Sequence, residues 1–213
     1  MSTPALRAAG LPRAFAAACW LFLLLAACAR TPALPELAPD DVVLAFGDSL
    51  TYGTGAGRDE AYPARLAALI GRPVVNAGVP GETTEAGLAR LAGALDAENP
   101  RLLLLCLGGN DMLRHQPAEA TAANLRAMVR LARERGVAVL LIGVPQPSLL
   151  GGPPAYYAEI AKEFDLPYEG EAFASVLHDR ALKSDLIHAN AAGYRQVAER
   201  LADLLRKAGA VRG

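Results

Sequence analysis

Continuously apolar segments alternate with helical patterns along most of this chain, and that alternation limits its possible folds more than any other feature. The apolar segments predict buried strands at residues 42–46, 74–75, 102–107 and 137–142. Helical patterns lie between and after them, at 61–70, 83–97, 118–135, 155–164 and 190–208. Strands that are apolar throughout and separated by helices are typical of a parallel sheet covered on both faces. The sequence therefore predicts a single α/β domain.

The first 27 residues have the features of a signal peptide. Arg7 and Arg13 precede an uncharged, apolar stretch that is short for a membrane-spanning helix. Leu25-Ala26-Ala27-Cys28 resembles a bacterial lipoprotein processing site, at which Cys28 would be lipidated and become the mature N-terminus. An ordinary signal peptide that is cut after Ala29 is the alternative.

An exported protein of the bacterial cell envelope follows from these features. By the same resemblance, Ala29 after a lipidated Cys28 points to the outer membrane, where the N-terminal lipid anchor would hold the protein. Without lipidation the protein would be periplasmic. Residues 28–41 are rich in proline and predict an extended tether, followed by the folded domain at 42–208 and a C-terminal tail at 209–213.

Composition excludes several classes of function. The net charge is −1 and no run or patch of basic residues argues for nucleic acid as a partner. Cys106 is the one cysteine after the processing point, and its apolar neighbours predict a small buried side chain. No pair of histidines or cysteines has the spacing of metal ligands, so we expect no metal.

Polar residues follow three of the predicted strands directly. Ser49 comes after the first strand, Gly78 after the second and Asn110 after the third. Ligands of open α/β sheets bind beyond the carboxyl ends of the strands, so we expect these three residues to meet at one edge. Asp185 and His188 lie three residues apart in a turn before the last helix.

This set of residues has the chemistry of serine hydrolysis. A serine needs a base, and His188 could serve Ser49 while Asp185 accepts from its other ring nitrogen. The backbone N–H groups of Ser49 and Gly78 and the side-chain amide of Asn110 are suitable donors for an oxyanion hole. The structural alternatives are a cap or turn role for Asp185, Gly78 and Asn110, and a surface position for His188.

These residues resemble the SGNH/GDSL hydrolase superfamily over about residues 42–206. The matching segments are Gly47-Asp48-Ser49-Leu50, Asn76-Ala77-Gly78 with Gly81-Glu82-Thr83-Thr84, Gly108-Gly109-Asn110-Asp111, and Asp185-x-x-His188. They look closest to the bacterial arylesterase and multifunctional thioesterase/lysophospholipase branch. The resemblance implies a three-layer α/β/α fold with a flavodoxin-like, doubly wound parallel sheet, and acyl hydrolysis without a cofactor.

The expected function is that of a serine esterase acting on carboxylic esters or thioesters, including aryl esters, acyl esters and lysophospholipids. The loop after the fourth strand offers candidate substrate contacts that could equally pack the loop itself: Leu149, Leu150, Pro153 and Tyr156. Two alternatives remain open, a carbohydrate O-deacetylase of envelope polysaccharide and a non-catalytic envelope lipoprotein that binds a ligand.

Overall fold

Five parallel strands form the centre of the molecule, which is known from a computed structural model that describes residues 31–147 and 151–212. The strands are β1 (Val43–Gly47), β2 (Val74–Gly78), β3 (Leu102–Cys106), β4 (Ala138–Ile142) and β5 (Tyr168–Glu169). Their order in the sheet is β2-β1-β3-β4-β5. The chain thus runs outward from β1 in both directions, which is the winding of a flavodoxin-like sheet.

Two groups of helices cover the sheet. The helices are α1 (Ser49–Tyr52), α2 (Tyr62–Ile70), α3 (Thr84–Glu98), α4 (Gly109–Leu113), α5 (Ala118–Glu134), α6 (Ala155–Glu163), α7 (Ala172–His178) and α8 (Ala191–Lys207), with a 3₁₀ helix at Arg180–Leu182. In one group α8 packs on α2 and α7; in the other, α5 packs on α3 and α6. The predicted α/β fold with a parallel sheet is confirmed.

The central strands have the burial that their apolar sequences predict. Every residue of β1 and β3 is buried, because each strand has a neighbour on both edges and helices on both faces. Cys106 is fully buried at the end of β3, as predicted. Burial raises the pKa of its thiol well above the usual range, which disfavours a reactive thiolate.

Short elements are what the sequence patterns missed. Helices α1 and α4 have four and five residues, and β5 has two, so none contains enough turns or alternations to show a period. Helix α7 and the 3₁₀ helix after it were also unpredicted. The missed elements α1 and α4 begin at or beside Ser49 and Asn110.

Register brings the ends of the three central strands together. Gly47, the last residue of β1, is aligned with Gly78 of β2 on one side and Cys106 of β3 on the other. The loops that follow these strands therefore start from the same edge of the sheet. This is the edge at which the sequence predicts that Ser49, Gly78 and Asn110 lie together.

Part of the predicted tether packs on the domain. The backbone N–H groups of Leu34 and Leu37 donate to the carbonyl oxygens of Ala208 and Ala210, each at 2.8 Å, and Leu37 is buried. These contacts extend the packed domain on the N-terminal side of Val42. Across residues 31–147 and 151–212, no helix has the length and apolar character needed to cross a membrane.

Candidate active site

Ser49 is placed by a tight connection between β1 and α1. It is the first residue of α1, and Asp48, the residue between strand and helix, caps that helix by accepting from the N–H of Leu50 at 3.0 Å. The amide of a first helical residue has no acceptor within its own helix. Ser49 therefore presents both its hydroxyl and its backbone N–H beyond the edge of the sheet.

His188 and Asp185 are held in a short loop before α8. The loop is closed by an antiparallel bridge between Lys183 and Ala189, and by a hydrogen bond from the Ser184 N–H to the His188 carbonyl. Inside it, Oδ1 of Asp185 accepts from the backbone N–H groups of Ile187 and His188, each at 2.8 Å. These bonds fix the carboxylate relative to the imidazole ring.

Three side chains form one hydrogen-bonded series at this edge. His188 Nδ1 lies 2.8 Å from Asp185 Oδ2, and His188 Nε2 lies 3.0 Å from Ser49 Oγ. With the Nδ1 proton donated to the carboxylate, Nε2 is free to accept the Ser49 proton. The structure thus brings together the three residues that the sequence proposed as a triad.

The Asp185 carboxylate is stabilised in its charged form. Its partial burial opposes ionisation, but the hydrogen bonds from the His188 ring and from the two backbone N–H groups outweigh that effect. The pKa of Asp185 is consequently lowered from its ordinary value. An ionised partner of this kind orients an imidazole and stabilises an imidazolium.

Asn110 joins the same group from α4. Its Nδ2 donates to Oδ2 of Asp48 at 3.3 Å and to the carbonyl oxygen of Glu82 at 3.0 Å. Both acceptors bind the nitrogen, so the amide orientation is fixed. Asn110 and Ser49 border the same cavity.

Asp48 is a functional candidate to which the sequence analysis gave no role. Its side chain is 1% exposed, yet it carries a carboxyl between the proposed nucleophile and Asn110. Burial raises the pKa of Asp48 to about 7, with smaller contributions from the nearby carboxylates of Asp111 and Glu82, while the Leu50 N–H and His188 oppose the rise. The available signal was an acid directly after an apolar strand.

Gly78 does not lie with these residues. Its N–H donates to Oδ1 of Asn76 at 3.0 Å, and it borders a second, smaller concavity with Tyr52 and Arg58. A Cβ at this position would stand 2.2 Å from the backbone nitrogen of Tyr52. Close packing of β2 against α1 therefore explains this glycine, and the predicted oxyanion role of Gly78 has no support in this geometry.

The turn after Gly78 is the segment that contacts Asn110. Residues 79–82 form this turn, closed by the Glu82 N–H donating to the Val79 carbonyl at 3.1 Å. Gly81 has a φ of +80°, the left-handed conformation that suits glycine. Arg114 donates to the Gly81 carbonyl at 2.8 Å, and the backbone N–H of Gly81 has no acceptor within the described part of the chain. The Pro80-Gly81 pair was the sequence signal for this turn.

A cavity of about 480 Å³ opens beside Ser49 and His188. Its apolar lining comes from several loops and includes Leu50, Leu113, Val144, Pro145, Leu177, Leu186 and Ile187. The volume falls in the range of small-molecule sites, and the apolar walls suit the hydrocarbon part of a ligand.

The substrate contacts that the sequence suggested after β4 do not border this cavity where the structure describes them. Tyr156 is buried against Tyr157, with ring centroids 4.7 Å apart, and Pro153 lies over Gly143. Neither belongs to the described lining of the cavity, and both pack against neighbouring residues of the domain. Leu149 and Leu150 lie outside the described residues, as do the signal peptide and Cys28.

Comparison with known families identifies the chain. Residues 45–196 match the family model described as the GDSL-like Lipase/Acylhydrolase family, which is most of the chain and includes Ser49, Asn110 and His188. The chain belongs to this family. The enzyme class expected from the sequence, a GDSL-type carboxylic ester hydrolase, is thereby confirmed.

Curated relatives of this GDSL hydrolase carry esterase names. It is 35% identical over 134 residues to "Esterase TesA" of Pseudomonas aeruginosa, covering 61% of this chain and 67% of that protein. It is 34% identical over 158 residues to "Thioesterase 1/protease 1/lysophospholipase L1" of Escherichia coli, covering 70% and 76% respectively.

Solved structures agree with the fold and the family. The crystal structure of TesA superposes with a TM-score of 0.70 at 28% identity, covering 78% of this chain and 98% of that one. AlinE4, titled an SGNH-hydrolase family esterase, superposes with a TM-score of 0.60 at 31% identity, covering 81% and 98%. The sheet of this GDSL hydrolase is therefore that of its family.

Proposed function

We propose that this enzyme is a serine esterase that hydrolyses acyl esters and thioesters through a covalent acyl-enzyme on Ser49. The observation that carries the proposal is the 3.0 Å contact between Ser49 Oγ and His188 Nε2 at the mouth of an apolar cavity. The names of the relatives, esterase and thioesterase/lysophospholipase, support the same choice of substrates.

The reaction would proceed in two acyl transfers. Ser49 Oγ attacks the carbonyl carbon while His188 takes its proton, and the imidazolium then protonates the leaving oxygen or sulfur. Asp185 keeps the imidazole in the required tautomer and stabilises its charged form. Water, activated by His188 in turn, attacks the acyl-enzyme and releases the carboxylic acid.

The oxyanion of each tetrahedral intermediate needs preorganised donors. We assign these to the N–H of Ser49, the side-chain amide of Asn110 and the N–H of Gly81. Gly81 replaces Gly78 in this role because the Gly78 N–H donates to Asn76, whereas the Gly81 N–H has no acceptor within the described residues. Both N–H groups of the Asn110 amide are bonded in the free enzyme, so the one at the longer, 3.3 Å contact with Asp48 would turn to the oxyanion.

Hydrolysis of p-nitrophenyl acetate, butyrate and octanoate tests the proposed function. We expect release of p-nitrophenol by the wild-type enzyme, only residual release by Ser49→Ala, and normal release by Ser175→Ala, a control whose hydroxyl bonds to the Ala172 carbonyl within α7. A serine-directed phosphonate should attach to Ser49, as shown by peptide mass spectrometry. Equal rates for Ser49→Ala and wild type would overturn the proposal.

Export and lipidation of this enzyme remain a separate proposal. The apolar leader and the Leu25-Ala26-Ala27-Cys28 segment support an envelope lipoprotein acylated at Cys28. Metabolic labelling with a radioactive fatty acid should mark the wild-type protein and leave Cys28→Ala unlabelled. A labelled Cys28→Ala protein would contradict this site.

A further inference from the structure

Basic side chains without carboxylate partners line one side of the cavity. Arg180, Lys183 and His178 all border it. Within residues 31–147 and 151–212, Arg180 and Lys183 form no salt bridge, and the Lys183 ammonium donates to the Leu177 carbonyl at 3.1 Å. Positive charge on this wall is therefore available to a ligand.

The nearby carboxylates are engaged elsewhere. Asp179 caps the 3₁₀ helix by accepting from the Ala181 N–H at 2.8 Å, and Asp185 is bonded to His188. Asp48, the one carboxylate in the described lining of the cavity, is buried. The wall at residues 178–183 thus faces the cavity with a net positive charge.

Most of the remaining side chains that line the cavity are apolar. Leu113 and Val144 approach from α4 and from the loop after β4, and Leu186 lies within the His188 loop and is 85% exposed. Large apolar side chains that remain exposed around a cavity suit an apolar ligand group. The site therefore combines a hydrocarbon-binding part with an anion-binding part.

The mechanism indicates which part of the substrate the basic wall contacts. His188 must pass its proton to the leaving oxygen or sulfur, so the leaving group departs on the side of His188. Arg180 and Lys183 lie on that side, in the 3₁₀ helix and at the start of the His188 loop. The acyl chain would then contact apolar lining from other loops, at Leu113 and Val144.

We propose that Arg180 and Lys183 select esters and thioesters whose leaving group carries an anionic phosphate, sulfonate or carboxylate. This inference rests on the proposed serine esterase function and adds the class of leaving group to it. Both side chains contact solvent, so the attraction is modest, on the order of a 3- to 10-fold preference, and salt weakens it.

A matched pair of soluble substrates tests this selection with the full chain. The pair is the butyrate ester of 4-hydroxybenzenesulfonate, whose leaving group is anionic, and that of 4-hydroxybenzenesulfonamide, whose leaving group is neutral at pH 7.5. The measured quantity is the ratio of kcat/KM for the anionic ester to kcat/KM for the neutral ester. We expect Arg180→Gln/Lys183→Gln to lower this ratio roughly 3- to 10-fold, because kcat/KM for the anionic ester falls more than kcat/KM for the neutral ester.

The controls separate local recognition from net charge and from folding. Lys162→Gln/Lys207→Gln removes two exposed positive charges outside the cavity and should keep the wild-type ratio. The Arg180 side chain makes no hydrogen bond to any other described residue, so the single variant Arg180→Gln should lower the ratio partway. Raising the salt concentration should lower the ratio for the wild type but not for the double variant.

Three results would overturn the inference. One is an unchanged ratio in the Arg180/Lys183 variant, and another is an equal fall in the control variant. The third is that the Arg180/Lys183 variant loses activity only on substrate in vesicles that contain phosphatidylglycerol and not on the soluble anionic ester. That result would mean that these residues contact the membrane. Absence of hydrolysis of both esters by the wild type would instead contradict the proposed function, so the two failures are distinguishable.

Discussion

At the scale of single residues, Asn110 and Asp48 form a partly buried contact beside the proposed nucleophile. The Asn110 nitrogen is bonded to Asp48 and to the Glu82 carbonyl, so the amide is fixed with its donor side toward the Ser49 turn. The bond to Glu82 holds the amide in place, and the N–H at the longer contact with Asp48 is the one that a developing oxyanion would take over. The two residues come from loops that follow β1 and β3, which the sheet register holds side by side.

Asn110→Ala should lower kcat by about 10²–10³-fold with little change in KM, because an oxyanion donor acts in the transition state. Steady-state hydrolysis of p-nitrophenyl butyrate measures this change, with circular dichroism to verify folding. Asn124→Ala is the matched control, since the Asn124 amide donates to Thr84 at 3.1 Å, outside the cavity. A kcat for Asn110→Ala close to that of the control would rule out the donor role.

Asp48 should make stability fall as pH rises. Its folded pKa of about 7 lies above the ordinary value of 3.8, so between these values the native state retains a proton that the unfolded state has lost. The free energy of unfolding then decreases by up to about 1.4 kcal/mol per pH unit over this range.

Urea denaturation of Asp48→Asn between pH 4 and pH 8 measures this contribution. We expect the difference in unfolding free energy between wild type and variant to change with pH in favour of the variant. Asp40→Asn, at an exposed carboxyl, should keep the wild-type pH dependence. Parallel curves for wild type and Asp48→Asn would show that Asp48 ionises normally.

At the scale of elements, Arg90 ties α3 to the strands and to the turn at 79–82. Its guanidinium makes two hydrogen bonds to Glu82, at 2.5 and 2.6 Å, and donates to the carbonyl of Ala77 at 2.7 Å. It also lies 3.9 Å from the ring centroid of Phe46 in β1. The turn whose Glu82 carbonyl holds Asn110 is therefore positioned from helix α3.

Arg90→Met should lower the free energy of unfolding towards the lower end of the roughly 3–5 kcal/mol that breaking a buried ion pair costs, because Glu82 is left buried without its partner. Arg90→Met/Glu82→Met should be more stable than Arg90→Met, since no charge is then left unpaired. Chemical denaturation of both variants gives the comparison. A double variant less stable than the single one would contradict this account.

At the scale of the whole molecule, the two ends of the described domain hold each other. Leu37 is buried beneath contacts with Ala210 and with the Arg72 guanidinium, and Glu36 pairs with Arg212 at 2.7 Å. The N-terminal segment thus packs against the residues that follow α2 and α8. Its backbone hydrogen bonds replace those that an exposed tether would make with water.

Leu37→Ala should lower the free energy of unfolding by about 2–5 kcal/mol, the usual cost of truncating a buried leucine. Leu69→Ala, at a leucine that is 40% exposed, should cost much less. Denaturant midpoints of the two variants measure the difference. Equal midpoints would mean that residues 34–37 do not contribute to the stability of the domain.

Long periodic segments made the fold predictable. The predicted boundaries of β1, β3, α3 and α5 lie within one or two residues of the observed ones, because each is long enough or apolar enough to show its period. Helices α1 and α4 are too short for a pattern, and β5 pairs along only two residues. Their formation depends on neighbours that are distant in sequence.

Residue chemistry alone determined which side chains could form the hydrolytic group: Ser49, Asp185, His188 and Asn110 all meet at the edge expected of them. The tertiary structure decided the rest. Gly78 and Tyr156 went to packing positions, while Asp48, Gly81 and Arg180 gained candidate roles. The physical reason is that a motif specifies the chemical groups, whereas hydrogen-bond partners and cavity walls come from loops that meet only when the sheet is assembled.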